Sequence, residues 1–157
     1  MTAIGYQERM TLTVESPRFG RVEIDPSTVI EFPEGLIGLE GHQFALLTGQ
    51  PGSPLMWLHC IDNPSLSLPV TEPHRFFSRF EVELTDEDVE RIGYDGETAV
   101  DVYVTVVAAS SLEQFTANQK APILIRDGRG HQVINQVAGA ELRAPLFAEA
   151  LGTESAA

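Results

Sequence analysis

Residues 28–48, TVIEFPEGLIGLEGHQFALLT, contain the pattern that decides the fold. The stretch begins and ends with a short run of β-branched, aliphatic and aromatic residues, TVIEF and QFALLT. Between the runs, Pro33, Glu34 and Gly35 indicate a tight turn, because proline presets the backbone of the second turn position and glycine closes the turn. Short apolar runs bounded by turn residues are typical of β-strands. The stretch therefore predicts two strands with a turn between them.

The same pattern recurs along the chain. Asp127-Gly128, followed by Gly130, predicts a hairpin turn between two such runs. Many short strands separated by turn signals predict an all-β, mainly antiparallel fold, either a barrel or a sandwich. The further runs that are rich in Val, Ile, Leu, Phe and Thr, or that alternate with a period of two, are MTLTVE (10–15), RVEI (21–24), LMWLHCI (55–61), LSLPV (66–70), FEVEL (80–84), AVDVYVTVVAA (99–109), PILIR (122–126) and HQVINQV (131–137).

Two stretches break this pattern and predict short helices. In TDEDVERIG, Thr85 is a good N-cap, with Asp88 three residues later as in a capping box, and Gly93 ends the helix. Its first-turn acids suit the positive end of the helix dipole, so an ordinary capped surface helix explains them. AELRAPLFAEALG predicts a second short helix after Pro145. No linker or repeat divides the 157 residues, which predicts one domain over 1–157 with frayed termini at 1–9 and 152–157.

The charge balance limits the possible partners. Ten Lys and Arg stand against 23 Asp and Glu, a formal net charge of −13. A chain this acidic has little with which to build a basic face, so nucleic acid and anionic membranes are not expected to bind. The charge suits a basic protein partner, but it is equally typical of a protein kept soluble by its charge. The N-terminus lacks a secretory pattern and no apolar run reaches about 18 residues, which predicts a cytoplasmic protein.

Residues that carry catalytic chemistry are few and scattered. His42, His59, His74 and His131 show no metal-ligand spacing, and GLIGLEG (35–41) lacks the features of a phosphate-binding loop. Cys60 lies in an apolar run, where a cysteine behaves as a small buried hydrophobe. In EPHRFFSRF (72–80), flanking acids oppose nucleic-acid binding and favour core packing of the aromatics. We expect no catalytic residues, no cofactor and no metal, although distant carboxylates that converge in the fold would leave an enzyme as an alternative.

The order of several motifs resembles the flagellar assembly factor FliW family. PRFGRVEI and TVIEFPEGLIGLEGHQFALL come first, PLMWLHCIDNPSLSLPVTEP follows, and TANQKAPILIRDGRGHQVI comes last, so that the resemblance covers about residues 10–147. Departures from the family pattern include Ile37, Leu39, His59, Leu68, Gln119 and Arg126. Matching positions are Phe19, Gly20, Phe32, Pro33, Gly35, Leu36, Gly38, Glu40, Phe44, Trp57, Leu58, Pro64, Leu66, Val70, Pro73, Thr116, Asn118, Ala121, Pro122, Ile123, Ile125, Gln132 and Val133.

The resemblance implies a small, closed or partly open β-barrel-like domain without enzymatic activity. It implies binding to the dimeric translational repressor CsrA, away from its RNA site, which relieves repression of flagellin translation. It also implies binding to flagellin, so that secretion of flagellin frees the protein to sequester CsrA. Rival hypotheses are a flagellin chaperone that does not bind CsrA, and a β-barrel enzyme.

Partner contacts are expected at polar positions on loops and strand edges and at exposed acids. For Asn118, capping of its own turn is an equal alternative. The predicted partner-binding residues are Glu72, Asp86, Glu87, Asp88, Thr116, Asn118 and Gln119.

Overall fold

A computed structural model describes residues 12–16, 20–48 and 52–147. The described chain is mostly strand, which confirms the predicted all-β class, and it contains one α-helix, α1 (Asp86–Ile92). Its strands are β1 (Leu12–Ser16), β2 (Gly20–Ile24), β3 (Ile30–Glu31), β4 (Gln43–Thr48), β5 (Met56–Cys60), β6 (Ser67–Thr71), β7 (Asp101–Val107), β8 (Thr116–Ala117), β9 (Ile123–Arg126), β10 (Arg129–Gln132) and β11 (Ala144–Pro145).

Seven strands close into a barrel. Their order is β7-β6-β5-β4-β3-β10-β9, and pairing of β9 with β7 completes the ring. Every pairing in the ring is antiparallel except the contact of β3 with β10. The short strands β8 and β11 extend the sheet from β7, and β1 and β2 form a separate hairpin. The prediction of a closed or partly open β-barrel is therefore confirmed, and the barrel is closed.

Apolar side chains from alternate strand positions fill the barrel. Phe32 and Phe44 are fully buried and pack edge to face, with ring centroids 5.0 Å apart. A second cluster lies between β7, β8 and β11 and includes Phe77 and Phe80. Of the aromatics of EPHRFFSRF that were expected to pack, Phe77 and Phe80 are buried and Phe76 is partly buried against them, whereas Arg75 is exposed.

Both turns predicted from local sequence are present. The amide of Gly35 donates to the carbonyl of Phe32 at 2.9 Å, which closes the turn around Pro33. In the β9–β10 hairpin, Asp127 and Gly128 both have a positive φ, 50° and 76°, as a two-residue turn of type I′ requires. The hairpin prediction is confirmed, with the second strand beginning at Arg129.

Helix α1 begins and ends as its sequence predicts. The Thr85 hydroxyl accepts a hydrogen bond from the amide of Asp88 at 3.0 Å. Gly93 ends the helix in the left-handed region at φ 70°. The helix predicted after Pro145 falls mostly outside the described residues, as do the termini predicted to fray, and Pro145 itself belongs to β11. Among the described residues, no helix is long and apolar enough to cross a membrane.

Two strand predictions were wrong, and the Asn135 side chain contributes to both differences. FEVEL (80–84) forms no strand, although its alternation does bury Phe80. HQVINQV forms a strand only as far as Gln132. Asn135, 1% exposed, belongs to the second segment, and its side chain hydrogen-bonds to the backbone of Glu81 and Glu83 in the first. A side chain therefore satisfies backbone groups that a neighbouring strand would otherwise satisfy.

Candidate partner-binding surfaces

Helix α1 presents the predicted acids in two different states. Asp86 and Glu87 are exposed. Asp88 is 18% exposed and accepts a hydrogen bond from Arg91 at 2.7 Å, in an ion pair between neighbouring turns of the helix. This bond to Asp88 is the main reason that the pKa of Arg91 is raised above its ordinary value. The negative charge of Asp88 is thus largely compensated within the protein, whereas the charges of Asp86 and Glu87 are not.

Asp86 and Glu87 belong to an acid-rich segment of the chain that we call the acidic strip. It comprises five exposed carboxylates within ten residues of chain: Glu81, Glu83, Asp86, Glu87 and Glu90. Within the part of the chain that the structure describes, no side chain of the strip has an ion-pair or hydrogen-bond partner. On α1, Asp86, Glu87 and Glu90 share one face because they are three and four residues apart. The strip is therefore a negatively charged surface that is available to a cation from outside.

Glu72 lies apart from the strip, before the 3₁₀ turn Pro73–Arg75. Its carboxylate accepts a hydrogen bond from Arg75 at 2.8 Å, and both side chains remain largely solvated. Glu72 lines a shallow hollow with Val100, which also lines the cleft beside α1. The structure therefore places Glu72 on the same side of the barrel as the C-terminal end of α1.

Thr116, Asn118 and Gln119 lie together near β8, and all three are partly buried. The carboxamide oxygen of Asn118 accepts hydrogen bonds from the amides of Lys120 and Ala121 at 2.9 and 3.1 Å, so Asn118 does cap its own turn. The Gln119 side chain accepts from the amide of Glu141 at 3.2 Å. The side chains of Asn118 and Gln119 thus already have partners inside the fold.

Sequence reasoning missed a cleft of about 380 Å³ between α1 and the β9–β10 hairpin, which we call the arginine cleft. Arg91, Arg126 and Arg129 line it, three of only ten basic residues in the chain. Its other lining residues are Pro33, Glu34, Ile92, Tyr94, Val100, Leu124, Asp127 and His131. The arginines come from separate elements, so no local sequence motif predicts that they line one cleft. The one local signal is Arg126, which departs from the family pattern.

The pKa of His131, which lines this cleft, is lowered, and this favours the neutral imidazole. Burial lowers its pKa, and the nearby carboxylate of Glu34 only partly opposes that effect. The ring Nδ1 lies 3.8 Å from Glu34, beyond hydrogen-bond distance. No Ser, Thr or Cys is among the described residues that line the cleft. The described lining of the cleft thus has groups that bind charge, and its one hydroxyl is the phenol of Tyr94.

Cys60 and His59 lie on opposite faces of β5, and both are fully buried. Burial, together with a hydrogen bond from the thiol to Asp62, raises the pKa of Cys60 to about 11. The interpretation of Cys60 as a buried side chain is confirmed. Among the described residues, no group of three His, Cys, Asp or Glu side chains is arranged to hold a metal ion.

Comparison with known proteins agrees with the motif order. The FliW protein family matches residues 13–146. The flagellar assembly factor FliW of Geobacillus kaustophilus is 34% identical over 133 residues, which cover 83% of this chain and 92% of that protein. The flagellar assembly factor FliW of Natranaerobius thermophilus is 29% identical over 140 residues, 87% of this chain and 93% of that protein.

A solved structure gives the same answer in three dimensions. The crystal structure of a flagellar assembly factor FliW superposes with a TM-score of 0.77 at 31% identity, and the match covers 87% of this chain and 97% of that one. The family match spans most of the chain, and the relatives match over nearly their whole length. This chain belongs to the FliW family of flagellar assembly factors.

Proposed function

We propose that this protein is a non-enzymatic, cytoplasmic regulator of flagellar assembly that binds the translational repressor CsrA and flagellin in turn. Binding to CsrA relieves repression of flagellin translation, and flagellin releases CsrA by binding in its place. Membership of the FliW family supports the role in flagellar assembly. The observation that carries the binding proposal is the acidic strip, five exposed carboxylates without cationic partners among the described residues.

The strip suits a partner that binds RNA. A protein that neutralises RNA phosphates needs a basic surface, and such a surface is attracted to clustered carboxylates. Complementary charge of this kind speeds encounter and fixes orientation more than it adds affinity. The net charge of −13 also repels RNA from the neighbourhood of a bound repressor without occupying the RNA groove.

The seven candidate contact residues differ in whether their side chains already have a partner within the protein. Asp86 and Glu87 belong to the acidic strip and are our first candidates. Glu72 and Asp88 are ion-paired with arginines and would have to exchange these partners on binding. Thr116, Asn118 and Gln119 are proposed as a separate, secondary contact near β8.

The proposal is tested by titrating CsrA from the same organism into the protein by calorimetry at low and moderate salt. The informative variant replaces Asp86 with Asn and Glu87 and Glu90 with Gln. At roughly 0.5 kcal/mol for each exposed charge, we expect affinity at low salt to fall about tenfold. The matched control removes three exposed carboxylates elsewhere with Glu40→Gln, Glu97→Gln and Glu113→Gln, and should change affinity much less. Equal losses in both variants would show that net charge acts, and not the strip.

Flagellin is then added to the preformed complex. Release of CsrA supports the partner switch. Binding of flagellin to a protein that never binds CsrA would favour the rival flagellin chaperone. If neither protein binds, the proposed function is wrong.

A further inference from the structure

A second charged surface, the arginine cleft, has no part in the proposed contact with a basic repressor. Arg126 and Arg129 are directly paired across the β9–β10 hairpin, on either side of its two-residue turn. Side chains that are directly opposite on neighbouring strands lie within reach of each other, and like charges in such positions destabilise the pair. An anion placed between the two guanidinium groups would relieve this repulsion.

The two arginines of this pair differ in their freedom. One nitrogen of Arg126 donates to the carbonyls of Ile92 and Gly93, at 3.0 and 2.8 Å, at the end of α1. Its guanidinium also lies 6.0 Å from the ring centre of Tyr94, and Asp95 is 4.0 Å away. Arg126 is therefore held in place with part of its donor fork unused. Arg129 is exposed and has no hydrogen-bond or ion-pair partner among the described residues.

The opposite wall of the cleft already holds a carboxylate. Glu34, from the turn at 32–35, accepts a hydrogen bond from Arg91 and is the acid closest to His131. Its side chain remains 48% exposed, so the contact is open to solvent and to exchange. The ion pair of Glu34 with Arg91 shows that an arginine of this cleft can bind a carboxylate.

We infer that the arginine cleft is a docking site for an acidic peptide segment of a partner protein, with Glu34 acting as an internal competitor. A carboxylate of the peptide binds between Arg126 and Arg129, and a second one displaces Glu34 from Arg91. Arginine forks match carboxylates in geometry as well as in charge. The inference rests only on the cleft and does not depend on the proposed function.

The cleft favours a peptide over other anions. Its volume of about 380 Å³ exceeds what inorganic phosphate fills, and Ile92, Tyr94 and Leu124 give it apolar walls for the stems of side chains. Nucleic acid is disfavoured because a long polyanion would also meet Asp127 and the acidic strip on α1. A short acidic segment also meets Asp127 but ends before it reaches the acidic strip.

The test uses the full chain and three probes: a glutamate-rich hexapeptide capped at both ends, its glutamine counterpart, and inorganic phosphate. Affinities come from calorimetry, and the site comes from changes in the amide NMR signals. We expect the glutamate peptide to bind and to shift the signals of residues 128–131. The glutamine peptide should not bind, and phosphate should bind at least tenfold more weakly.

Variants then assign the contact. Arg129→Gln should weaken binding of the glutamate peptide about fivefold or more, since it removes a charge-assisted contact without removing a described partner. Arg143→Gln, the same change at another exposed position, should leave affinity unchanged. Glu34→Gln should tighten binding about two- to fivefold by removing the competitor, and Glu40→Gln is its control.

Four results would overturn the inference. They are no binding of the glutamate peptide, equal binding of the glutamine peptide, equal losses in the two arginine variants, and phosphate binding as tightly as the peptide. The last result would identify a small-anion site in place of a peptide site. None of these results bears on binding of CsrA or flagellin, so the two proposals fail separately.

Discussion

Replacement of Asn135 by Ala should destabilise the protein more than any other single polar truncation proposed here. The side chain is 1% exposed and makes four hydrogen bonds to backbone groups. Its carboxamide oxygen accepts from the amides of Glu83 and Val137 at 3.0 and 3.1 Å. Its nitrogen donates to the carbonyls of Glu81 and Gln119 at 2.9 and 3.2 Å. Alanine leaves all four backbone groups without these partners.

The expected loss follows from these bonds. A hydrogen bond contributes roughly 1 kcal/mol net, and an unsatisfied buried partner costs about 1–3 kcal/mol. The bond to Gln119 is the longest, and water can enter from a cavity of about 340 Å³ that Gln119 and Asn135 line. We therefore expect a loss of about 3–4 kcal/mol in the free energy of unfolding. That is a large part of the free energy of unfolding of a typical domain, which is roughly 5–15 kcal/mol.

The assay is urea denaturation followed by circular dichroism at neutral pH. Gln136→Ala is the matched control, because Gln136 is exposed and its side chain donates only to the carbonyl of Ile134. It should change stability by less than about 0.5 kcal/mol. Asn135→Asp keeps the acceptor but turns an oxygen towards two carbonyls, so it should not restore stability. If Asn135→Ala remains within about 1 kcal/mol of the parent protein, the assignment of Asn135 as the link between 81–83 and 119 is wrong.

Four further predictions concern the barrel and α1. Gly130→Ala would place a Cβ 2.3 Å from the buried Phe32 ring, and should cost about 1–3 kcal/mol of stability, measured by denaturant titration; an unchanged midpoint would show that the ring moves freely. Cys60 should resist a disulfide reagent at pH 8 until the protein unfolds, since its pKa is raised to about 11, and fast native labelling would contradict its burial. Because that pKa is raised in the folded state, the protonated thiol supports folding fully below its ordinary pKa, and this support should fall as pH rises from about 9 through 11, seen as a falling denaturation midpoint. Thr85→Ala should cost about 1 kcal/mol, and Thr85→Ser should recover most of it.

Local chemistry explains which structural predictions succeeded. The turn at 33–35, the hairpin turn at 127–128 and the cap at Thr85 each depend on two or three neighbouring residues, and all three are present. The strand prediction for FEVEL was wrong for a reason that alternation cannot reveal. The period of two indicates which side chains are buried, but it does not indicate which group hydrogen-bonds to the backbone. That partner is Asn135, more than fifty residues away. A single asparagine in an apolar run gives no sign of such a role.

For the candidate surfaces, too, features that depend on neighbouring residues were predictable, and features that depend on distant residues were not. The exposure of the acids was predictable, because charged side chains outside apolar runs are expected at the surface. Which acids remain uncompensated depends on where the few arginines lie. The pairing of Asp88 with Arg91 follows from their spacing on α1. The pairing of Glu34 with the same Arg91 joins a turn to a helix across 57 residues and follows only from closure of the barrel.

Closure of the barrel therefore gives this acidic protein two surfaces of opposite character. With ten basic residues against 23 acidic ones, any surface chosen at random would be negative. The β9–β10 hairpin brings Arg126 and Arg129 together, and α1 adds Arg91 at its last turn. The same helix presents three acids of the acidic strip, Asp86, Glu87 and Glu90, on its exposed face. A partner whose basic and acidic groups both meet their complements can dock in one orientation only, because the reversed orientation brings like charges together.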